Sequence, residues 1–250
     1  MTDLRHHDHR TDDAPPSDRA PRLLIASSNG LIHADGRTEF AGHDITDVDV
    51  DGDRVAVLVD RVAVHRREAD GSWVRLAELG DGPHRTLAWH GDGLLVGGSD
   101  ARLWRVSEAG GAHRIESFDR APSHEGWHTP WGGPPDVFSI ASDCSDAFVN
   151  VHVGGILRST DLENWTPTID LHEDVHDVTV DEAGTIWAAT GARGLARSTD
   201  RGASWTHVTA GLHATYARAV ATTGGVTLVS VSSGPFARDG AIYRLDGDTL

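Results

Sequence analysis

The sequence predicts an all-β fold, a propeller of four-stranded antiparallel blades, on three observations. From Leu23 onward, short β-branched runs alternate with Gly, Asp and Ser turns, and no helical period outlasts one turn. A four-strand unit of about 40 residues recurs along the chain, the spacing of propeller blades. A compact turn, Ser198-Thr199-Asp200-Arg201-Gly202-Ala203-Ser204-Trp205, has a weaker copy 39 residues earlier at Ser159-Thr160-Asp161 with Trp165. Its Asp can accept backbone N–H groups, its Gly tolerates positive φ, and its Trp can fold back as an apolar plug.

Taken in order, residues 1–21 are polar, with His6, His7, His9 and Pro15-Pro16, and read as a disordered tail. Residues 22–250 read as one propeller domain. Its first unit, 23–41, lacks an innermost strand. Units follow at 46–77, with a degenerate lock at Asp70-Gly71-Ser72-Trp73, and at 85–117, where the lock has decayed to Ser107–Gly111. The next begins at Val137, the next at Val175, and the last spans 217–245. Six blades are implied, or seven. The last has spent only about three strands at Leu250, so closure reads as incomplete and the chain as truncated.

Composition narrows the function classes. Net charge is −16, from 29 Asp and nine Glu against 22 Arg and no Lys, which argues against nucleic acid or an anionic membrane as partner. This acidic, Lys-free composition fits a high-salt cytosol or a GC-rich genome. One Cys, Cys144, excludes an intramolecular disulfide framework and fits a reducing compartment. No apolar run reaches the roughly 20 residues a membrane span needs, and the N-terminus lacks a secretory pattern. A soluble, cytoplasmic protein is the expectation.

Ser198 to Trp205 matches S-x-D-x-G-x-x-W in full, and on this motif residues 23–250 resemble the Asp-box/BNR-repeat β-propellers, which include sialidases. Ser159-Thr160-Asp161 keeps the start of the box but is one residue shorter before Trp165 and has no Gly; Asp70–Trp73 is shorter still. The resemblance implies that Ser159, Asp161, Trp165, Ser198, Asp200, Gly202 and Trp205 are structural and lie on the face away from a ligand funnel. A sialidase also implies an arginine triad, a Tyr–Glu pair and an Asp acid/base. The only tyrosines are Tyr216 and Tyr243, the Arg-Ile-Pro motif is absent, and no Glu is placed to activate Tyr216.

Binding groups of a propeller gather at one mouth. Aligning the blades sets Thr46, Arg85, Phe138, His176 and Arg218 at the starts of the inner strands. Ser27, Ser99, His152, Gly191 and Ser232 follow the second strands. The cationic members can take a carboxylate, sulfate or phosphate; the alternative is pairing with Asp47, Asp136, Asp174 and Asp177 in the same loops. An insertion, 120–135, carries Trp127, His128 and Trp131 and can offer a stacking surface or cap the channel. His128, His152, His176 and His213 can all approach the mouth, but no two sit at a recognised metal-ligand spacing, so no metal and no cofactor are expected. The function read from these residues is a module that binds a small anionic or sugar-like ligand or a protein. The alternative is a hydrolase or lyase using Asp174, His176, His152, Tyr216 and Arg218.

Overall fold

A computed structural model describes residues 23–130, 132–143, 145–171 and 173–246. The predicted tail, Trp131 and Cys144 lie outside the described residues. The strands form a six-bladed β-propeller of antiparallel sheets, almost without helix. Blade 1 is Leu24–Ser27, Gly30–His33 and Thr38–Glu39; blade 2 is Ile45–Asp51, Arg54–Val59, Ala63–Arg67 and Trp73–Glu78. Blade 3 is His84–His90, Gly93–Gly98, Leu103–Ser107 and Ala112–Arg114; blade 4 is Val137–Ser142, Ala147–Val151, Gly155–Ser159 and Thr166–Pro167. Blade 5 is Val175–Val180, Ile186–Thr190, Gly194–Ser198 and Thr206–Val208; blade 6 is Tyr216–Thr223, Val226–Ser232 and Ala241–Arg244. Among the described residues no helix is long and apolar enough to cross a membrane.

The first strand of blade 1 occupies the second-strand place. Ser27 Oγ donates to the Gly30 carbonyl at 2.7 Å, as Thr190 Oγ1 donates to Gly194 at 3.0 Å at the end of blade 5's second strand. The innermost place of blade 1 is therefore filled by no strand among the described residues.

Each second strand of blades 3 to 5 is buried along its length, because the neighbouring blades cover both of its faces; this is why these strands read as continuous apolar runs. The core is accordingly five layers, one between each pair of consecutive blades from 1 to 6. Among the described residues no such layer joins blade 6 to blade 1. Ile242 of blade 6 is 75% exposed, whereas Leu195, its counterpart in blade 5, is fully buried.

The repeated turns bolt blades together. In blade 5, Ser198 Oγ lies 2.8 Å from Asp200 Oδ1 and accepts the Gly202 N–H at 2.8 Å, while Asp200 also accepts the Ser204 N–H at 2.8 Å. Gly202 has φ +85°, and a Cβ there would lie 2.6 Å from Thr168 Cβ, so both conformation and space demand glycine. Trp205 Nε1 then donates to the Thr168 carbonyl, at the end of blade 4's outer strand, at 2.7 Å. The same reach recurs: Trp165 Nε1 donates to Ser117 Oγ of blade 3 at 3.2 Å, and Trp73 Nε1 to Glu39 Oε2 of blade 1 at 3.1 Å. Even the decayed turn of blade 3 keeps a tie, through Gly111 N–H to the Leu76 carbonyl of blade 2 at 2.9 Å. The Trp is thus a plug and an inter-blade donor together.

Candidate ligand mouth

Five inner strands carry the same irregularity. Their pairing with the second strand skips one residue near the start, and the skipped residues are Thr46, Arg85, Phe138, His176 and Arg218. A bulge leaves its extra residue unpaired and re-aims the side chain, so the ring aligned from sequence is a ring of bulges. It sits at the end of the sheets opposite the locks: in blade 5, Val175 pairs with Thr190 at the mouth end, while Ser198 lies level with Ile186 at the other. The turns after the second strands are tied to the same end. Ser99, His152 and Gly191 donate N–H to the carbonyls of Pro83, Asp136 and Asp174 at 2.7 to 3.0 Å.

Across blades 3 to 6 these residues make one continuous arc of rings. The Arg85 guanidinium lies 5.4 Å from the Phe138 ring, Phe138 4.9 Å from His152, and His152 5.9 Å from His176. His176 lies 4.8 Å from Tyr216, over which the Arg218 guanidinium stands at 5.8 Å. Asp174 sits beneath the two imidazoles, Oδ1 at 3.4 Å from His152 Nε2 and Oδ2 at 3.3 Å from His176 Nε2. These neighbours hold the Asp174 carboxyl well below the usual carboxylate range. Arg85 is committed to Asp136. Arg218 is exposed and makes no ion pair among the described residues.

Two carboxylates expected as partners for the cationic ring do something else. Asp47 Oδ2 accepts the Leu87 N–H of the next inner strand at 2.8 Å, and Asp177 Oδ2 accepts that of Val220 at 3.0 Å. Asp49, which sequence reasoning passed over, accepts from Trp89 at 2.7 Å. The signal was the Asp47-x-Asp49 alternation on one strand face. Ser139 Oγ takes the equivalent role toward Val178 at 3.1 Å. These groups stitch inner strand to inner strand along a central channel of about 520 Å³. Burial pushes the carboxyls of Asp47 and Asp177 up to about 6 and raises that of Asp49.

The other candidate residues disperse. Trp127 is buried against Phe118 in the layer between blades 3 and 4, and His128 bonds its own insertion at the Gly126 carbonyl, 2.8 Å away. Ala121 and Trp127 of the 120–135 insertion pack into the seam between blades 3 and 4. His213 stacks on Tyr243 of blade 6's third strand, with Nδ1 2.7 Å from the phenol oxygen. His152 and His176 alone of the four histidines converge, and with Asp174 their ligand atoms lie within 4.8 Å of one another.

No protein-family description and no curated protein matches the sequence. Solved structures do resemble it. The extracellular domain of BT4673 from B. thetaiotaomicron matches with TM-score 0.65 at 13% identity over 90% of this chain, which spans 31% of that one. Virginiamycin B lyase from Staphylococcus aureus matches with TM-score 0.56 at 13% identity, over 89% of this chain and 82% of that one. YCF48 bound to D1 peptide matches with TM-score 0.58 at 13% identity, over 84% and 72%. At such identities the likeness carries the propeller fold alone.

Proposed function

We propose that this protein is an Asp-box/BNR-type propeller that binds, at its mouth, a small anionic or sugar-like ligand or an acidic loop of a protein, without turning it over. The observation that carries the reading is the arc from Arg85 to Arg218, in which Arg85, Phe138, His176 and Arg218 are bulge residues. Bulges give up strand pairing and re-aim side chains, and here they stand at the mouth end of neighbouring blades. Arg218, stacked on Tyr216, offers a fork of donors to a carboxylate, sulfate or phosphate. Neighbours of the same fold are consistent with a binding role: YCF48 is solved with a D1 peptide, and nidogen with laminin. Titration of the protein with phosphate, sulfate, citrate and sialic acid tests the reading. Saturable binding that Arg218→Ala weakens at least tenfold supports it; no heat and no thermal shift with any of them sinks it.

A hydrolase or lyase at the same mouth is the second reading, favoured by Asp174 standing against two imidazoles with Tyr216 beside them. Turnover of a glycoside or lactone panel, lost in His176→Ala, would replace the first reading with this one. A cytoplasmic setting fits the single cysteine and the acidic surface.

A further inference from the structure

His152, Asp174 and His176 bring three possible ligand atoms within 4.8 Å of one another. His176 Nδ1 lies 2.6 Å from the Ala217 carbonyl oxygen, which only accepts, so Nδ1 carries a proton. That leaves Nε2 of this buried imidazole facing Asp174 Oδ2 at 3.3 Å. A neutral ring would set its lone pair against a carboxylate oxygen, two acceptors with nothing between them. Either a second proton or a metal ion resolves the clash. The Nε2-to-carboxylate separations, 3.3 and 3.4 Å, exceed the 2.7 to 2.9 Å of a charge-assisted hydrogen bond. Each, measured to its own Asp174 oxygen, is close to the roughly 3.3 Å between donors on one tetrahedral ion with bonds of about 2.0 to 2.1 Å.

Further features fit an ion. The Ala217 carbonyl fixes the ring and its tautomer, the usual outer support of a metal-bound histidine. Gly191 leaves the cradle open: a Cβ there would lie 2.2 Å from Asp174 Oδ2 and 3.0 Å from His176 Cε1. The Asp174 side chain is 39% exposed, so an ion can enter and keep a position open to solvent or ligand.

We infer that His152, Asp174 and His176 form a binding site for a divalent transition metal, with zinc as the best-suited ion. Two imidazoles and one carboxylate suit zinc or a neighbouring first-row ion and disfavour magnesium and calcium, which take oxygen ligands. Three protein ligands with an open position is the pattern of zinc sites that bind a further ligand. The site stands whether or not an anion binds at Arg218.

The test uses the full chain with His6, His7 and His9 replaced by Ala, so that the tail cannot contribute, stripped with chelator and titrated with zinc chloride by calorimetry. One ion per chain is expected, and His152→Ala should weaken binding at least about 100-fold. Asp174→Asn and Gly191→Ala should each weaken it at least tenfold, with circular dichroism confirming that the variants fold. Cobalt(II) in place of zinc should give the intense visible absorption of a four-coordinate site, lost in His152→Ala. Absence of stoichiometric zinc binding, or binding unchanged in both His152→Ala and Asp174→Asn, overturns the assignment. Anion binding by the chelator-stripped protein reports on the mouth reading separately.

Discussion

The two ends of each blade are built on opposite principles. At the lock end of blade 5 the polar groups of the turn pair with one another. Asp200 takes donors from Ser198 and Ser204, which lower its carboxyl to about 2. Nearby, the buried Asp146 is held by Arg201 of blade 5 and by Arg158 at 3.1 Å. At the mouth end the strands give up pairing at the bulges, an imidazole nitrogen faces a carboxylate, and Arg218 stands exposed over Tyr216. One end is finished with the chain's own groups; at the other, Arg218 is exposed and makes no ion pair among the described residues. Substitutions should therefore separate: lock changes cost stability and spare binding, mouth changes the reverse.

The largest effect should come from Asp146→Ala, which leaves two guanidinium groups without their shared buried carboxylate. Roughly 3 kcal/mol of stability should be lost, a fall in Tm on the order of 10 °C in a thermal scan. Asp47 gives a pH-dependent effect. Its folded-state carboxyl, pushed up to about 6, exceeds an unfolded value of about 3.9. Its contribution is thus fully present below about pH 4 and lost as pH rises through about 6. Denaturant unfolding at pH 4, 5 and 6.5 should show Asp47→Asn losing less stability over this window than the parent, by roughly 1 to 2 kcal/mol; parallel curves would contradict the burial argument. Trp205→Phe keeps an aromatic plug but removes the donor to the Thr168 carbonyl and part of the ring, and should cost at least about 1 kcal/mol. Arg218→Ala should be smallest, within about 0.5 kcal/mol of the parent.

How much of this was legible in the sequence follows from how local each feature is. The blade frame was visible because a lock, Ser198 to Trp205, and a buried second strand, Ile186 to Thr190, are each written within a few consecutive residues. Alignment of those frames was enough to bring Thr46, Arg85, Phe138, His176 and Arg218 into one ring. Their bulges left no mark, since five unrelated residue types occupy the same skipped position. His152 and His176 lie 24 residues apart on different blades, so no ligand spacing could announce them. Trp127 misled for a related reason: an aromatic in a long insertion reads the same whether it faces ligand or, as here, Phe118 in a blade seam.

The separation of the two ends is tested most directly by one paired measurement. The rise in Tm produced by a saturating anion is recorded for the parent, for Arg218→Ala and for Asp146→Ala. The rise should vanish in Arg218→Ala, whose own Tm is nearly that of the parent. It should persist undiminished in Asp146→Ala, whose baseline Tm is several degrees lower. An anion-induced rise that survives in Arg218→Ala, or that disappears in Asp146→Ala, would contradict the assignment of binding to the mouth and of stability to the locks.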